Sequence, residues 1–213
     1  MSNGLFIVFE GIDGSGKTTQ IELLRDHLRN LSIEPLLVRE PGGTDIGEQV
    51  REILLSHKST GMHPITEMLL FCSARAQLVT EQILPALAQG RVVIADRYRI
   101  STEIYQGVGR GLPIAAVNAT LDFATQQLLP DLCFILDIAP EIGYTRRMRN
   151  NPTADRMESA GSTFFQRIAA AFADYRQEYV RHIDGESSQK EIADTIWQEI
   201  TKSQWWQSKS TSH

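Results

Sequence analysis

The stretch Leu5-Phe6-Ile7-Val8-Phe9-Glu10-Gly11-Ile12-Asp13-Gly14-Ser15-Gly16-Lys17-Thr18 constrains this chain more than any other. It opens with an apolar run rich in branched and aromatic residues, the mark of a strand buried on both faces. From Gly11 onward the residues fit G-x-x-x-x-G-K-[ST] position for position, the pattern of a phosphate-binding loop. Ile21, Leu24, Leu28 and Leu31 then recur at three- and four-residue spacing, which predicts a helix. Strand, glycine loop and helix are the context that the motif needs. Glycines let successive backbone N–H groups turn inward around phosphate oxygens, and the helix N-terminus adds its positive dipole end. Gly11, Ile12, Asp13, Gly14, Ser15, Gly16, Lys17 and Thr18 are thus expected to cradle the phosphates of a nucleoside triphosphate. Lys17 would reach the β- and γ-phosphates, and the Thr18 hydroxyl would hold Mg²⁺. A glycine turn that merely joins a strand to a helix would not require this full pattern.

At 213 residues the chain suits one α/β domain, residues 1–213, large enough to bury a core. Apolar residues make up 42% and charged residues 22%, which argues against disorder. A net charge of −5 advertises no basic face, so neither nucleic acid nor an anionic membrane is an expected partner. There is no apolar run of about 18 residues and no basic-then-apolar leader, which reads as cytoplasmic. Cys72 and Cys133 lie far apart in apolar segments, outside any metal-ligand spacing, and are expected to be buried thiols.

Along the chain, residues 34–39 read as a second strand running into Arg39-Glu40-Pro41-Gly42-Gly43-Thr44. Ligands of parallel sheets bind beyond the carboxyl ends of the strands, so Arg39 and Glu40 are expected to face the phosphate loop. A short helix is expected over 47–55, and the longest helical pattern runs over 65–89, with Pro85 set to kink or interrupt it. Phe71 and Arg75, four apart, share one face of that helix. Residues 91–98 form a third strand closing in Asp96-Arg97, where a carboxylate has the placement of a Mg²⁺-organising aspartate. Tyr105 to Gly111 reads as a decorated glycine-rich connector, too short to be an element. A helix over 113–129, a fourth strand over 131–137 and a helix from Pro140 follow. That last helix runs into Arg146, Arg147 and Arg149, and the polar segment beyond it carries Arg156. The arginines fit a lid at about 149–160 closing on phosphates, or simply a solvated face. A helix over 164–179, a short fifth strand over 180–184, a helix over 190–206 and a frayed polar tail at 207–213 complete the reading.

Phe9-Glu10-Gly11-Ile12-Asp13-Gly14-Ser15-Gly16-Lys17-Thr18-Thr19-Gln20, Arg39-Glu40-Pro41-Gly42-Gly43-Thr44, Ala95-Asp96-Arg97-Tyr98, Tyr105-Gln106-Gly107 and Asp155-Arg156-Met157-Glu158 occur in this order. Together they resemble the thymidylate kinase family over nearly the whole chain. The resemblance implies a P-loop NTPase fold, three layers α/β/α around a five-stranded parallel sheet with a short lid. It implies transfer of the ATP γ-phosphoryl group to dTMP with Mg²⁺, in dTTP biosynthesis, by a homodimer. Lys17 would clamp the phosphoryl group and Asp96 would organise Mg²⁺, while Arg39 and Arg97 would hold the acceptor phosphate. Asp13 would meet the sugar 3′-hydroxyl, Phe71 would stack on thymine and Arg75 would bond a base carbonyl. Tyr105 would crowd the 2′ position, with Ser101 and Gln106 near the base. Gly14 stands where one subgroup carries an arginine, which assigns the chain to the subgroup with lid arginines, Arg149 first and Arg156 second. The alternatives are a P-loop kinase for another nucleoside monophosphate, or a nucleotide-sensing module without turnover. A GTPase switch is disfavoured by the lack of an Asn-Lys-x-Asp tetrad.

Overall fold

A strand apolar on both faces needs cover on both sides, and the chain supplies it as helical layers around a parallel sheet. The computed structural model describes residues 4–150 and 162–210. β1 (Leu5–Glu10), β2 (Leu36–Arg39), β3 (Val92–Asp96), β4 (Leu132–Asp137) and β5 (Val180–Asp184) pair in parallel in the order β2-β3-β1-β4-β5. The expected five-stranded P-loop sheet is present, fifth strand included. Phe9 of β1 and Arg39 of β2 both stand opposite Asp96 of β3, so these three strands end level.

Side chains alternate between two cores. Leu5, Ile7 and Phe9 of β1, with Phe134 and Leu136 of β4, meet Ile21, Leu24 and Leu28 of α1 (Lys17–Asn30). The same core takes Ile192, Ile196 and Ile200 of α9 (Gln189–Thr201), whose start is fixed by a Ser188–Glu191 capping box. Phe6, Val8, Cys133 and Ile135 face the other way, onto α4 (Leu84–Ala88) and onto Phe164, Ile168 and Phe172 of α8 (Ser162–Ala173). Burying a ring such as Phe9 or Phe134 contributes roughly 1.5–3 kcal/mol. A smaller cluster of Met68, Cys72, Val117 and Leu121 joins α3 (Pro64–Leu78) to α6 (Ile114–Thr125). Both cysteines are free and buried, as expected.

Several stretches differ from what periodicity suggests. The helix expected over 65–89 is α3, then a wide π-turn at Val79–Ile83, then α4. Pro85 lacks the N–H that would continue the ladder, and the wide turn just before it absorbs the fault. The connector expected at Tyr105 to Gly111 is mostly helical: α5 (Arg99–Thr102) passes directly into a π-turn at Glu103–Gly109. Gly109 is no hinge there, since a Cβ would lie 2.7 Å from the Phe164 ring. α6 stops at Thr125 because Gln126 and Gln127 take positive φ of 53° and 60°. α8 ends at Ala173 rather than running to 179. The helix expected over 190–206 ends at Thr201 and restarts as α10 (Gln204–Ser210), where the Ser203 hydroxyl accepts from the Trp206 N–H at 3.3 Å. The supposed frayed tail is therefore helical as far as Ser210. α2 (Asp45–Leu55) and α7 (Pro140–Asn150) lie as expected. Beyond Asn150, the lid segment with Arg156 lies outside the described residues. Among the described residues no helix is long and apolar enough to cross a membrane.

Candidate active site

The turn from β1 into α1 is shaped by glycines. Gly11, Gly14 and Gly16 hold φ of 127°, 79° and 98°, a region that disfavours side chains. α7 packs so closely over this loop that a Cβ on Gly14 would strike the Gly143 backbone carbonyl. An arginine therefore has no room at Gly14 with α7 in place, which accounts physically for the plain phosphate loop. Lys17 opens α1 and is buried, its Nζ donating to the carbonyls of Gly11 at 3.1 Å and Ile12 at 3.0 Å. Burial, and then the nearby Arg97 charge, hold its ammonium below the usual lysine range.

At the end of β3, Arg97 takes a positive φ of 71° and turns back across the loop. It donates to Gly11 O at 3.1 Å and Ser101 Oγ at 3.0 Å, and pairs with Asp13 at 2.6 Å. Its guanidinium also sits 5.5 Å from the centre of the Tyr105 ring. Burial pushes the Asp13 carboxyl up, but Arg97 and Lys17 outweigh it and hold Asp13 below the ordinary carboxylate range. Beneath them lies Glu10, fully buried, which accepts from Tyr98 N–H, Ser101 N–H and Ser101 Oγ–H at 2.9, 3.0 and 2.6 Å. Glu10 thus fixes Ser101, and Ser101 in turn fixes Arg97.

Arg39 and Glu40 do not pair with each other. Arg39 meets Glu48 at 2.9 Å on the open side, whereas Glu40 is buried against Arg75, itself 1% exposed. Arg75 donates Nε–H to Glu40 at 2.6 Å, and its two amino nitrogens donate to Thr102 Oγ1 at 3.0 Å and Tyr98 O at 2.9 Å. Arg75 does share the expected α3 face with half-buried Phe71. One turn before Phe71, buried Glu67 accepts from Gln106 Nε2 at 3.0 Å and from Arg110 at 3.0 and 3.2 Å.

A cleft of about 650 Å³ opens over the phosphate loop, and Phe71, Arg75, Ser101, Tyr105 and Gln106 lie outside its lining. The loop from Asp13 to Thr18 lines it, with Arg39, Glu40, Asp96 and Arg97 from the strand ends and Arg146, Arg147 and Arg149 from α7. Arg146 and Arg147, which could have been only a solvated helix end, thus face the phosphate loop. Arg146 also donates to Gly185 O at 3.0 Å. Asp96 Oδ1 is buried without a hydrogen-bond partner, an orphaned oxygen at the mouth of the sheet. Sequence reasoning missed Arg51, whose guanidinium donates to Pro41 O at 2.7 Å, and Gly185, Ser187 and Gln189, which also line the cleft. It also missed Glu10 and Glu67. The available signal was a carboxylate closing an apolar strand in one case, and one sitting a turn before Phe71 and Arg75 in the other.

Phosphate loop, parallel sheet and a cation-lined cleft at the strand ends define a P-loop nucleotide-binding protein. A family model described as thymidylate kinase matches residues 9–196. The chain is similar to the thymidylate kinase of Caldanaerobacter subterraneus subsp. tengcongensis, 47% identical over 169 residues, covering 79% of this chain and 80% of that protein. It is similar to that of Thermoanaerobacter sp. (strain X514), 44% identical over 185 residues, 85% of this chain and 90% of the other. The thymidylate kinase of Kosmotoga olearia is 40% identical over 199 residues, 92% and 95% of the two chains. The chain belongs to the thymidylate kinase family.

Proposed function

We propose that the chain transfers the γ-phosphoryl group of ATP to dTMP, giving dTDP and ADP. The cleft carries this reading: Lys17, Arg39, Arg97 and the α7 arginines converge on one phosphate loop. A phosphate oxygen of dTMP attacks Pγ as the bond from Pγ to the bridging oxygen of ADP breaks. That acceptor oxygen is already ionised, so no general base is needed. The phosphoryl group in flight spreads negative charge, and what it demands is positioned cations. Gly11 to Thr18 bind the ATP phosphates, Lys17 clamps the transferring group, and Arg39 and Arg97 hold the acceptor phosphate. Asp13, Phe71, Arg75, Ser101, Tyr105 and Gln106 form the dTMP side, and Arg149, with Arg156 second, supplies charge from the lid. Thr18 and the orphaned Asp96 Oδ1 suit a small hard cation such as Mg²⁺. Bound there, Mg²⁺ would neutralise phosphate charge.

We further propose a homodimer and a cytoplasmic setting. α2, α3 and α6 pack side by side and expose Ile46, Ile53, Ile65, Leu69, Ile114 and Phe123, the last 88% exposed. Such a patch suits a partner surface. ADP release by purified protein with ATP, Mg²⁺ and each nucleoside monophosphate in turn tests the activity. Turnover with dTMP above the others is expected, and ATP binding without ADP release would leave a sensing module instead.

A further inference from the structure

Glu67, Phe71 and Arg75 follow one another at four-residue intervals and so share one face of α3. Glu67 is 1% exposed, and a carboxylate so deeply placed needs compensating donors. It has them: Arg110 grips it through Nε at 3.0 Å and an amino nitrogen at 3.2 Å, and Gln106 Nε2 donates at 3.0 Å. Arg110 is itself steadied over the Phe164 ring, 4.8 Å from its centre. An amide side chain can ordinarily turn over, exchanging its oxygen and nitrogen. Here it cannot, because a carboxylate held by a guanidinium fork accepts only. Gln106 must therefore give its NH₂ to Glu67 and point its carbonyl oxygen elsewhere. Among the described residues that oxygen takes no hydrogen bond, and it is not one of the atoms sealed from solvent.

We propose that Glu67 is a positioning residue that sets base specificity, by locking the Gln106 amide with its acceptor oxygen toward the nucleobase. The inference rests on the proposed dTMP site, in which Gln106 lies near the base. Thymine and uracil carry a donor at N3, which an amide oxygen satisfies. Cytosine carries an acceptor there, so oxygen would face a lone pair and a buried polar group would go unpaired. A neutral amide at position 67 would accept either orientation of Gln106 and release the lock.

The test compares dTMP with 5-methyl-dCMP, which keeps the methyl group and shape but reverses the donor and acceptor pattern at N3 and position 4. In Glu67→Gln the ratio of kcat/KM for dTMP over 5-methyl-dCMP should shrink by roughly tenfold or more. The ratio for dTMP over dUMP, which reads only the methyl group, should hold, as should the KM for ATP. Gln106→Ala should shrink the first ratio at least as far. Arg110→Lys keeps the charge but loses the fork. It should shrink the ratio less, and it provides a second reading should Glu67→Gln fold poorly. An equal loss for all three monophosphates in Glu67→Gln and Arg110→Lys would make Glu67 a purely structural anchor and overturn the proposal. So would a ratio that Gln106→Ala narrows and Glu67→Gln leaves intact. Absence of dTMP turnover by the wild type would sink the proposed function itself, whereas a dTMP preference that survives Glu67→Gln sinks this inference alone.

Discussion

At the scale of single residues the site is short of negative charge. Lys17 is held below its usual pKa by burial and by Arg97, so folding without nucleotide retains a cation in an unfavourable place. The sign follows from proton counting. Between the depressed folded value and the ordinary value of about 10.4, the unfolded chain binds more protons, so stability rises with pH there. Without nucleotide, the wild type should therefore gain stability relative to Lys17→Met as pH climbs through that alkaline window. Denaturant titrations at several pH values would show it, and a constant gap would mean that Lys17 is not electrostatically strained. Arg149 makes the second residue-scale case. It lines the cleft yet forms no hydrogen bond or ion pair among the described residues, whereas Arg146 is engaged with Gly185. If it meets charge that develops only in the transition state, Arg149→Ala should lower kcat by roughly 10³-fold. Affinities for ATP and dTMP should move far less. Single-turnover rates decide, and near-normal chemistry in Arg149→Ala would remove it from the catalytic set.

At the scale of elements, the contact between α7 and the phosphate loop sets where Arg146, Arg147 and Arg149 stand along the cleft. Gly143 lies inside α7, where alanine would ordinarily stabilise a helix by about 0.5–1 kcal/mol. A Cβ there would lie 2.8 Å from Asp13 O and 2.9 Å from Ile12 Cδ1. The loop is tied to Arg97 and Lys17, so α7 is the element that must move. Gly143→Ala is expected to lower kcat several-fold while dTMP affinity, measured by calorimetry, stays near wild type. Unchanged kcat would show that the arginines tolerate the shift. Much at this scale was legible in the sequence. The five strands, the phosphate loop and the catalytic candidates at the strand ends follow from apolar runs, turn signals and the rule for parallel sheets. What stayed hidden is tertiary. Gly109 looked like a loop residue but is small because Phe164 lies against it. Glu10 and Glu67 looked like ordinary charges, because their donors come from elements about 40 to 90 positions away. The carboxylate that pairs with Arg75 was hidden for the same reason, since Glu40 is 35 positions distant.

At the scale of the molecule, the apolar patch on α2, α3 and α6 makes the oligomeric state testable without touching the cleft. Phe123→Asp places a charge on the most exposed of those side chains. If the proposed dimer forms through this patch, light scattering should then shift from dimer toward monomer with the far-UV circular dichroism unchanged, and an unaltered mass would overturn the patch as a dimer contact.

The cleft has a consequence for how ligands arrive. Seven of its lining residues are cationic, yet the chain as a whole carries −5. In about 0.1 M salt the pull of those cations fades beyond roughly 10 Å. A free nucleotide small enough to fit wholly within that radius is drawn in during the last steps of its approach. A long polyanion would have to lay most of its length against a repelling exterior. The surface thereby sorts phosphates by size before any base is read.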